Sequence, residues 1–362
     1  MSNVLFEIIR VALATQDDLS CTPSAKEWEL LYDMAGRQTL LGVCFAGMQQ
    51  LRKKESESVR NIPQTLFMQW LGVAVHIEQR NELMDRLSAD MWMRLNKAGL
   101  NAALLKGQGM ALLYGELAGL RQSGDIDMWV KGGFDRVNEY VQHTCPSDDF
   151  AYHRFHYDIY KETEVELHFR PTLMRNLLDN RKLQKWCAEC SHFVLTEKGF
   201  AVPPAGFNRV FVLTHIYRHF LFEGVGLRQV MDYFFVLKAD KANEQEKEET
   251  MHVLADLRMK RFAGAVMWVL HERLGLPKDY LLCKPNEKEG RFLLSEILQT
   301  GNFGQSDIRY KGNSKLKMMV RHGIHLLIHY PSEIVWTPVW LVYHKIWKSV
   351  KRQKVNKSIR HE

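Results

Sequence analysis

The hydrophobic pattern of this chain changes its period twice. Up to about residue 97, apolar side chains recur every three to four residues, as in TLFMQWLGVAVHIEQRNELMDRLSADMWMRLNKAGL, which is the spacing of amphipathic helices. Between residues 98 and 205, short apolar runs end at glycine or alternate with polar residues, as strands do. Helical spacing then returns. The sequence therefore predicts an α+β fold, with a core of mixed β-sheet and helices at 98–205 between an N-terminal helical region, 1–97, and a C-terminal helical region, 206–362.

The central segment divides into short strands and helices. NAALLKG and DIDMWV predict buried strands, and QGMALLYGEL and FDRVNEYVQH predict helices. HYDIYKETEVELHFRP alternates on both sides of Lys161–Thr163 and predicts a hairpin. In the second strand of that hairpin, alternation separates an apolar face from a polar one: Val165, Leu167 and Phe169 against Glu164, Glu166 and His168.

Amphipathic stretches predict helices on both sides of this core. KEWELLYDMAGRQTLLGVCFAGMQQL precedes it, and it is followed by FNRVFVLTHIYRHFLF, GLRQVMDYFFVLKAD, KEETMHVLADLRMKRFAGAVMWVLHERLG and KLKMMVRHGIHLLIHY. No apolar run approaches the roughly 18 residues of a membrane-spanning helix, and the N-terminus lacks the pattern of a signal peptide. Six scattered cysteines suit reduced thiols. We therefore expect a cytoplasmic protein.

Most of the net charge lies at the C-terminus. Residues 345–362 contain seven Lys or Arg and one acid, so they contribute +6 of the net charge of +7. The near-neutral remainder argues against a polymerase or tailing enzyme, which needs positive charge along a phosphate backbone. For the tail we favour a solvated, frayed helix end, with contact to an anionic surface as the alternative. The preceding IVWTPVWLVYHKIWKSVKR is expected either to pack on the body or to lie on a membrane surface.

Two acids in the run RQSGDIDMWV carry the strongest functional signal. Asp125 and Asp127 are two residues apart on a predicted strand, so their side chains share a face while Ile126 points into the core. Carboxylates hold the divalent cations that nucleotidyl transfer needs, and Mg²⁺ prefers oxygen ligands. Glu166, on a strand of suitable polarity, is the candidate third acid. The sequence therefore predicts a metal site formed by these three carboxylates.

Residues just upstream are suited to phosphate binding. In LLKGQGMALLYG, a strand is followed by Lys106, Gly107 and a short helix. A glycine at a helix start lets backbone amides approach an anion, and the lysine adds positive charge. Arg121 and Ser123 immediately precede the acids and can also contact phosphate. These four residues are the predicted nucleotide-binding group.

These motifs resemble the uncharacterised nucleotidyltransferase family of the polymerase-beta-like superfamily. The resemblance rests on LLKGQGMALLYGELAGLRQSGDIDMWV, which has a Lys-Gly turn, a tyrosine and an arginine ahead of Asp-Ile-Asp. EVELHFRP is similar to the acid–apolar–His strand of that family, and GLRQVMDYFFVL, preceded by HIYRH, is similar to its C-terminal helical motif. The similarity spans roughly residues 30–310.

The resemblance implies a polymerase-beta-like core and the transfer of a nucleoside monophosphate from NTP to an acceptor hydroxyl, with release of pyrophosphate. It implies two Mg²⁺ ions, with Mn²⁺ as an alternative. By position it assigns Asp125, Asp127 and Glu166 as catalytic metal ligands and places Gly107 in a phosphate-facing turn. The acceptor stays open: a small molecule, a protein side chain or an RNA end.

The chain also departs from the wider superfamily at two points. Lys106-Gly107 stands where Gly-Ser is usual, and the third acid is Glu166 where Asp is more common. Glu164 and Asp158 are alternative third acids. A catalytically inactive nucleotide-binding or scaffold protein of the same fold is therefore the competing hypothesis.

Five more residues are candidates for substrate binding. His215 and His219 are four apart on a predicted helix, a spacing also found in zinc sites, but no glutamate follows the first histidine as in zinc proteases. We therefore favour a role in the core or in a substrate pocket. Arg228 and Asp232, also four apart, predict a salt bridge or contacts to the base or acceptor. His168 shares the face of the third acid and is either near the site or on the surface.

Overall fold

The computed structural model describes residues 2–301 and 323–360. Its helices are α1 (Ser2–Ala12), α2 (Ala25–Arg37), α3 (Leu41–Lys53), α4 (Gln64–Lys97), α5 (Gln108–Ala111), α6 (Gly133–Thr144), α7 (Leu177–Glu189), α8 (Ala205–Phe222), α9 (Leu227–Ala239), α10 (Glu244–Asp256), α11 (Lys260–Glu272), α12 (Glu287–Thr300) and α13 (Pro331–Arg360). Its strands are β1 (Ala102–Leu104), β2 (Ile126–Val130), β3 (Arg154–His156), β4 (Val165–His168), β5 (Val194–Leu195) and β6 (Ala201–Val202). The predicted α+β class is confirmed.

Strands β1 to β4 form one mixed sheet in the order β1-β2-β4-β3. β1 and β2 are antiparallel, β2 and β4 are parallel, and β3 and β4 are antiparallel. The predicted hairpin is therefore confirmed, but its first strand lies at 154–156, further from Lys161 than the sequence suggested. Phe155 and Tyr157 are both buried, and burial of these aromatic rings selects the earlier pairing register.

The two faces of this sheet differ in character. One face carries Ile126, Met128 and Leu167 into a hydrophobic cluster with side chains of α4 and α6. The opposite face carries Asp127 and Glu166, which pair across β2 and β4. Because side chains alternate along a strand, the apolar face anchors the sheet and the other face is left for polar groups.

The helices before and after the sheet share a second hydrophobic cluster. It joins buried residues of α1 and α3 with those of α8, α9 and α11. The predicted helices α4, α6, α8 and α9 are confirmed. Among the described residues, no helix is both long enough and apolar enough to cross a membrane.

Two stretches predicted as continuous helices are each broken once. The first ends at Arg37, because Thr39, two residues later, has a left-handed φ of 58°, which is incompatible with a continuing helix. The second breaks at Arg258, whose φ of 60° is left-handed and incompatible with a continuing helix. The predicted helix KLKMMVRHGIHLLIHY lies largely outside the described residues.

The prediction of a frayed, solvated tail is wrong. Helix α13 is continuous to Arg360, and one of its faces packs on the body. Trp340 and Val355 are buried, and the ring of Trp347 lies 4.9 Å from that of Tyr152. Lys354 and Lys351 both pair with Asp135. The aromatic rings, whose contacts lie far away in sequence, hold the basic end against the body.

We expect Trp347→Ala to lower the free energy of unfolding by about 2 kcal/mol, because the ring is half-buried against aromatic neighbours. Its exposed neighbour provides the control: Ile346→Ala should change stability by less than about 0.5 kcal/mol. Urea unfolding of both variants measures the difference. Equal effects would mean that α13 is not docked through its tryptophan face.

Candidate active site

A cavity of about 310 Å³ lies between the polar face of the sheet and helices α8 and α9. All but one of the site residues selected from the sequence line it. The exception is Ser123, whose hydroxyl is buried and has no hydrogen-bonding partner among the residues that the structure describes. The cavity therefore unites the sheet motif and the C-terminal helical motif, which are about a hundred residues apart in sequence.

Asp127 and Glu166 are direct partners in the parallel register of β2 and β4, so their side chains leave the sheet on the same face. Nε2 of His168 lies 2.8 Å from Oδ1 of Asp127 and 3.1 Å from Oε2 of Glu166. Because ionised carboxylates only accept hydrogen bonds, Nε2 carries the proton and donates to both. Ligand atoms of these three residues lie within 4.8 Å of one another, so the group could hold a metal ion.

The carboxylate of Asp127 is buried beside a lysine. Nζ of Lys106 lies 2.9 Å from its Oδ2, and the backbone amide of Leu105 donates to the carbonyl of Asp127, which brings the lysine alongside. Burial opposes ionisation of Asp127, but Lys106 and the hydrogen bond from His168 outweigh it and hold its pKa well below the usual range. Asp127 is therefore an anion that is balanced by nearby donors.

The other two predicted metal ligands differ in their surroundings. Glu166 forms an ion pair with Arg154 of β3. Asp125, just before β2, lines the cavity but is not one of the three residues in the close ligand group. Burial lowers the pKa of the Arg154 guanidinium, and Asp127 and Asp125 oppose that shift, so both acids lie within electrostatic reach of Arg154.

The two alternative third acids, Glu164 and Asp158, differ in their position relative to the cavity. Glu164 lines the cavity, whereas Asp158 is exposed and does not. Glu166 is the acid that pairs with Asp127 across the sheet. The choice among the three depends on strand register, which the sequence alone leaves open.

Gly107 forms a turn that only glycine adopts readily. Its φ is 55° and its ψ is −117°, and a Cβ atom there would lie 3.2 Å from the backbone oxygen of Asp125. The helix that follows, α5, has only four residues. The turn therefore brings the backbone close to the acidic loop, and the helix dipole adds little.

We expect Gly107→Ala to lower the free energy of unfolding by about 1–3 kcal/mol, because alanine is strained at this φ and ψ. Gly72→Ala is the matched control. Gly72 lies within α4 with open space around its Cα, so alanine should be neutral or stabilise by up to about 1 kcal/mol. Thermal and urea unfolding measure both. A stabilising effect at Gly107 would contradict the strained turn.

Arg121 and Asp232 form a buried, bidentate ion pair. Nε and Nη2 of Arg121 lie 2.7 Å and 2.8 Å from the two oxygens of Asp232, and the hydroxyl of Tyr114 donates to the same carboxylate at 2.7 Å. The sequence paired Asp232 with Arg228; the structure corrects this. Arg228 instead donates to the carbonyl of Gln122 at 2.6 Å, because α9 packs against the loop before β2.

The ion pair with Asp232 limits which nitrogen of Arg121 could contact a phosphate. Burial alone would lower the pKa of the guanidinium, but Asp232 outweighs this and raises the pKa above its usual value. Nη1 is the nitrogen left without a hydrogen-bonding partner among the described residues. Any contact between Arg121 and a phosphate would therefore be made through Nη1.

Arg218 and His153 also line the cavity, although neither was predicted from the sequence, and they lie close to the predicted His219. Nη1 of Arg218 lies 3.1 Å from Nε2 of His153, and Nη2 of Arg218 lies 3.1 Å from Nε2 of His219. Because arginine can only donate, the Nε2 atoms of both histidines accept these hydrogen bonds. Both imidazoles are therefore neutral. Burial lowers the pKa of both imidazoles. Arg218 stands between the two histidines of HIYRH, which was the available signal.

His215 lies one helical turn before His219, and their ring centroids are 4.2 Å apart. Burial lowers the pKa of His215 well below its usual value, and the charge of Lys106 adds to the shift. His215 is therefore a neutral imidazole at the cavity wall. Both histidines line the cavity, and their role in binding a substrate stays a prediction.

Residues 24–275 match the model of a family described as uncharacterised nucleotidyltransferase. The chain belongs to this family. The match covers more than two thirds of the chain and includes both walls of the cavity, and it ends earlier than the resemblance to residue 310 suggested. No curated protein and no solved structure matches the chain. Membership of a nucleotidyltransferase family supports nucleotidyl transfer as the general reaction.

Proposed function

We propose that this nucleotidyltransferase moves a nucleoside monophosphate from an NTP to an acceptor hydroxyl in the cavity. The acceptor oxygen bonds to the α-phosphorus, the bond to the bridging oxygen breaks, and pyrophosphate leaves while the hydroxyl proton passes to a base. The observation that carries the proposal is the pairing of Asp127 with Glu166 at the cavity wall, in a chain of this family.

Three carboxylates would hold the metal: Asp125, Asp127 and Glu166. They suit two Mg²⁺ ions, with Mn²⁺ as an alternative, because both cations prefer oxygen ligands. When bound, the cations would neutralise the triphosphate and activate the acceptor hydroxyl. His168 is a positioning residue: its single Nε2–H donates to two of the carboxylates and fixes their spacing.

Two basic side chains lie against these carboxylates and would bind the phosphates of the NTP. Lys106 contacts Asp127, and Arg154 contacts Glu166. The Lys106 side chain is 22% exposed at the cavity, so it can turn towards a ligand without opening the core. Lys106 and Arg154 would contact the β- and γ-phosphates of a bound NTP. Arg218 and Arg228 are further cations at the cavity wall.

The charge of the cavity lining is compatible with two divalent cations and an NTP bound together. Among the described residues, its lining has six carboxylates and five Lys or Arg, and burial keeps the lining histidines neutral. Two divalent cations and a fully ionised nucleoside triphosphate carry equal and opposite charges. Loading both together therefore leaves the net charge of the cavity unchanged.

The histidine wall faces the same space and would form the acceptor side. His215 is neutral and can accept a hydrogen bond from an acceptor hydroxyl. Arg218 and Glu223 hold His219 in place: the Nδ1 of His219 lies 2.9 Å from Glu223. Arg121 and Asp232 would support this wall through their ion pair.

One observation favours the competing hypothesis of an inactive nucleotide-binding or scaffold protein. Lys106, His168 and Arg154 lie against Asp127 and Glu166 and balance the charges of both carboxylates. A fold that has lost turnover would keep such a balanced set, because removing it would leave buried charges unpaired.

Transfer and mere binding are separated by following the α-phosphate. The full chain would be incubated with Mg²⁺ and each α-labelled NTP, alone and with fractionated cell lysate, and both pyrophosphate release and label transfer would be measured. We expect metal-dependent transfer from at least one NTP, abolished by EDTA and restored by Mg²⁺ or Mn²⁺. Metal-dependent NTP binding without release or transfer would favour the inactive protein. Absence of NTP binding would overturn both hypotheses.

A further inference from the structure

Helix α13 is held in one orientation by contacts on its inner face. Glu333 accepts hydrogen bonds from the backbone amides of Arg175 and Asn176, at 2.7 and 3.2 Å. Further along, the ring of Trp340 packs edge-on against Tyr152, with centroids 4.6 Å apart. These contacts are about two helical turns apart, so the side of the helix that faces away from the body is defined.

That outer side carries an apolar stripe. Its members recur at intervals of three or four residues and are each between 49% and 63% exposed: Val335, Val339, Val342, Ile346 and Val350. At 100° per residue, this spacing places all five within a narrow sector of the helix. Tyr343 is also exposed beside the stripe. Single exposed apolar residues are common, but a continuous row of five over four turns marks a contact surface.

Basic residues border this stripe. Lys345 and Arg352 lie on one side of it by helical spacing, and both are exposed. The single acid within α13 is Glu333, which is buried against the body. An apolar stripe with an aromatic residue beside it and cations along one edge is the pattern of a helix that lies in a membrane interface.

We propose that the outer face of α13 binds the surface of an anionic lipid bilayer. The valine and isoleucine side chains would enter the boundary between headgroups and acyl chains. Lys345 and Arg352 would extend their charged ends towards the anionic headgroups. The inner face stays packed on α6 and Tyr152, so the helix can lie on the membrane while it remains docked on the body.

Charge distinguishes an anionic bilayer from two other occupants of the stripe, a second copy of the chain and RNA. A second copy of the chain would bring two rows of cations together with no exposed acid on either helix, which opposes pairing. RNA would satisfy the cations, but it would leave the apolar stripe in water. A bilayer rich in anionic lipid matches both the stripe and its cations.

The test is co-sedimentation of the full chain with vesicles. One set contains phosphatidylcholine alone, and the other contains equal parts of phosphatidylcholine and phosphatidylserine. We expect binding to the mixed vesicles to be at least about tenfold tighter, because each basic residue near an anionic surface contributes about fivefold. Added salt should weaken it, because the Debye length falls to about 3 Å at 1 M.

Variants then assign the binding to the stripe. Val342→Asp/Ile346→Asp should weaken binding to mixed vesicles by more than about tenfold. The control Met68→Asp/Met93→Asp makes the same charge change at two half-exposed methionines of α4 and should weaken binding far less. Lys345→Gln/Arg352→Gln, which leaves the stripe intact, should reduce the preference for phosphatidylserine and its salt dependence.

Three results would overturn the proposal. The first is no binding to mixed vesicles, or equal binding to both vesicle types. The second is equal weakening by the stripe variant and the methionine control. The third is a dimer, seen by light scattering, that the stripe variant converts to a monomer, because a second copy would then occupy the stripe. None of these readouts requires nucleotidyl transfer to occur.

Discussion

Replacing Asp127 with Asn is expected to reduce the rate of nucleotidyl transfer by about a thousandfold or more. The carboxylate is the best placed of the proposed metal ligands, because it is buried, ionised and paired across the sheet with Glu166. Loss of the charge stabilisation that it supports would raise the barrier by about 4 kcal/mol. Steady-state rates of pyrophosphate release at saturating Mg²⁺ measure the change, and calorimetry with a non-hydrolysable NTP measures binding.

The control for this variant makes the same chemical change outside the cavity. Asp158→Asn alters an exposed aspartate that does not line the site, so its activity should stay within about twofold of wild type. Glu166→Gln should cost turnover more than Asp158→Asn does. If Asp127→Asn keeps its activity, or if Asp158→Asn is the damaging change, the proposed metal site is wrong. Circular dichroism checks that Asp127→Asn, which leaves Lys106 without its partner, still folds.

Replacing Asp232 with Asn is expected to lower the free energy of unfolding by about 3–5 kcal/mol. The change leaves the guanidinium of Arg121 buried without a countercharge, and breaking one side of a buried ion pair has a cost of this size. Asn also cannot accept the paired hydrogen bonds that both carboxylate oxygens accept now. Urea unfolding measures the loss.

A second variant separates the ion pair from simple packing. Arg121→Met/Asp232→Leu removes both charges, so it should recover much of the stability lost in Asp232→Asn. Asp256→Asn, at an exposed aspartate of α10, should change stability by less than about 0.5 kcal/mol. If Asp232→Asn were as mild as that control, the link between α9 and the loop before β2 would not depend on this pair.

The face of each strand residue could be predicted from the sequence. Alternation in DIDMWV and EVELHF placed Asp127, Glu166 and His168 on the polar side and Ile126 on the apolar side, and the structure bears this out. This succeeded because the period of a strand is a local property of the backbone. The proximity of His215 to His219 followed in the same way from helical spacing.

Partners across the fold could not be predicted in that way. Asp232 has an arginine four residues away on its own helix, yet it pairs with Arg121, which is 111 residues away in sequence. Arg154 has nothing in its local pattern that points to Glu166. Such pairs depend on how α9 and β3 dock, and docking is set by the whole hydrophobic core.

By itself, the sequence determined the fold class, the order of its parts, the family and the side chains that share a strand face or a helix face. Only the tertiary structure decided which acid faces Asp127, which cation balances each carboxylate, and that α13 is docked with an apolar stripe outward. The division has a physical reason. Periodicity follows from local backbone geometry, whereas ion pairing and burial depend on contacts between segments that the chain brings together only when it folds.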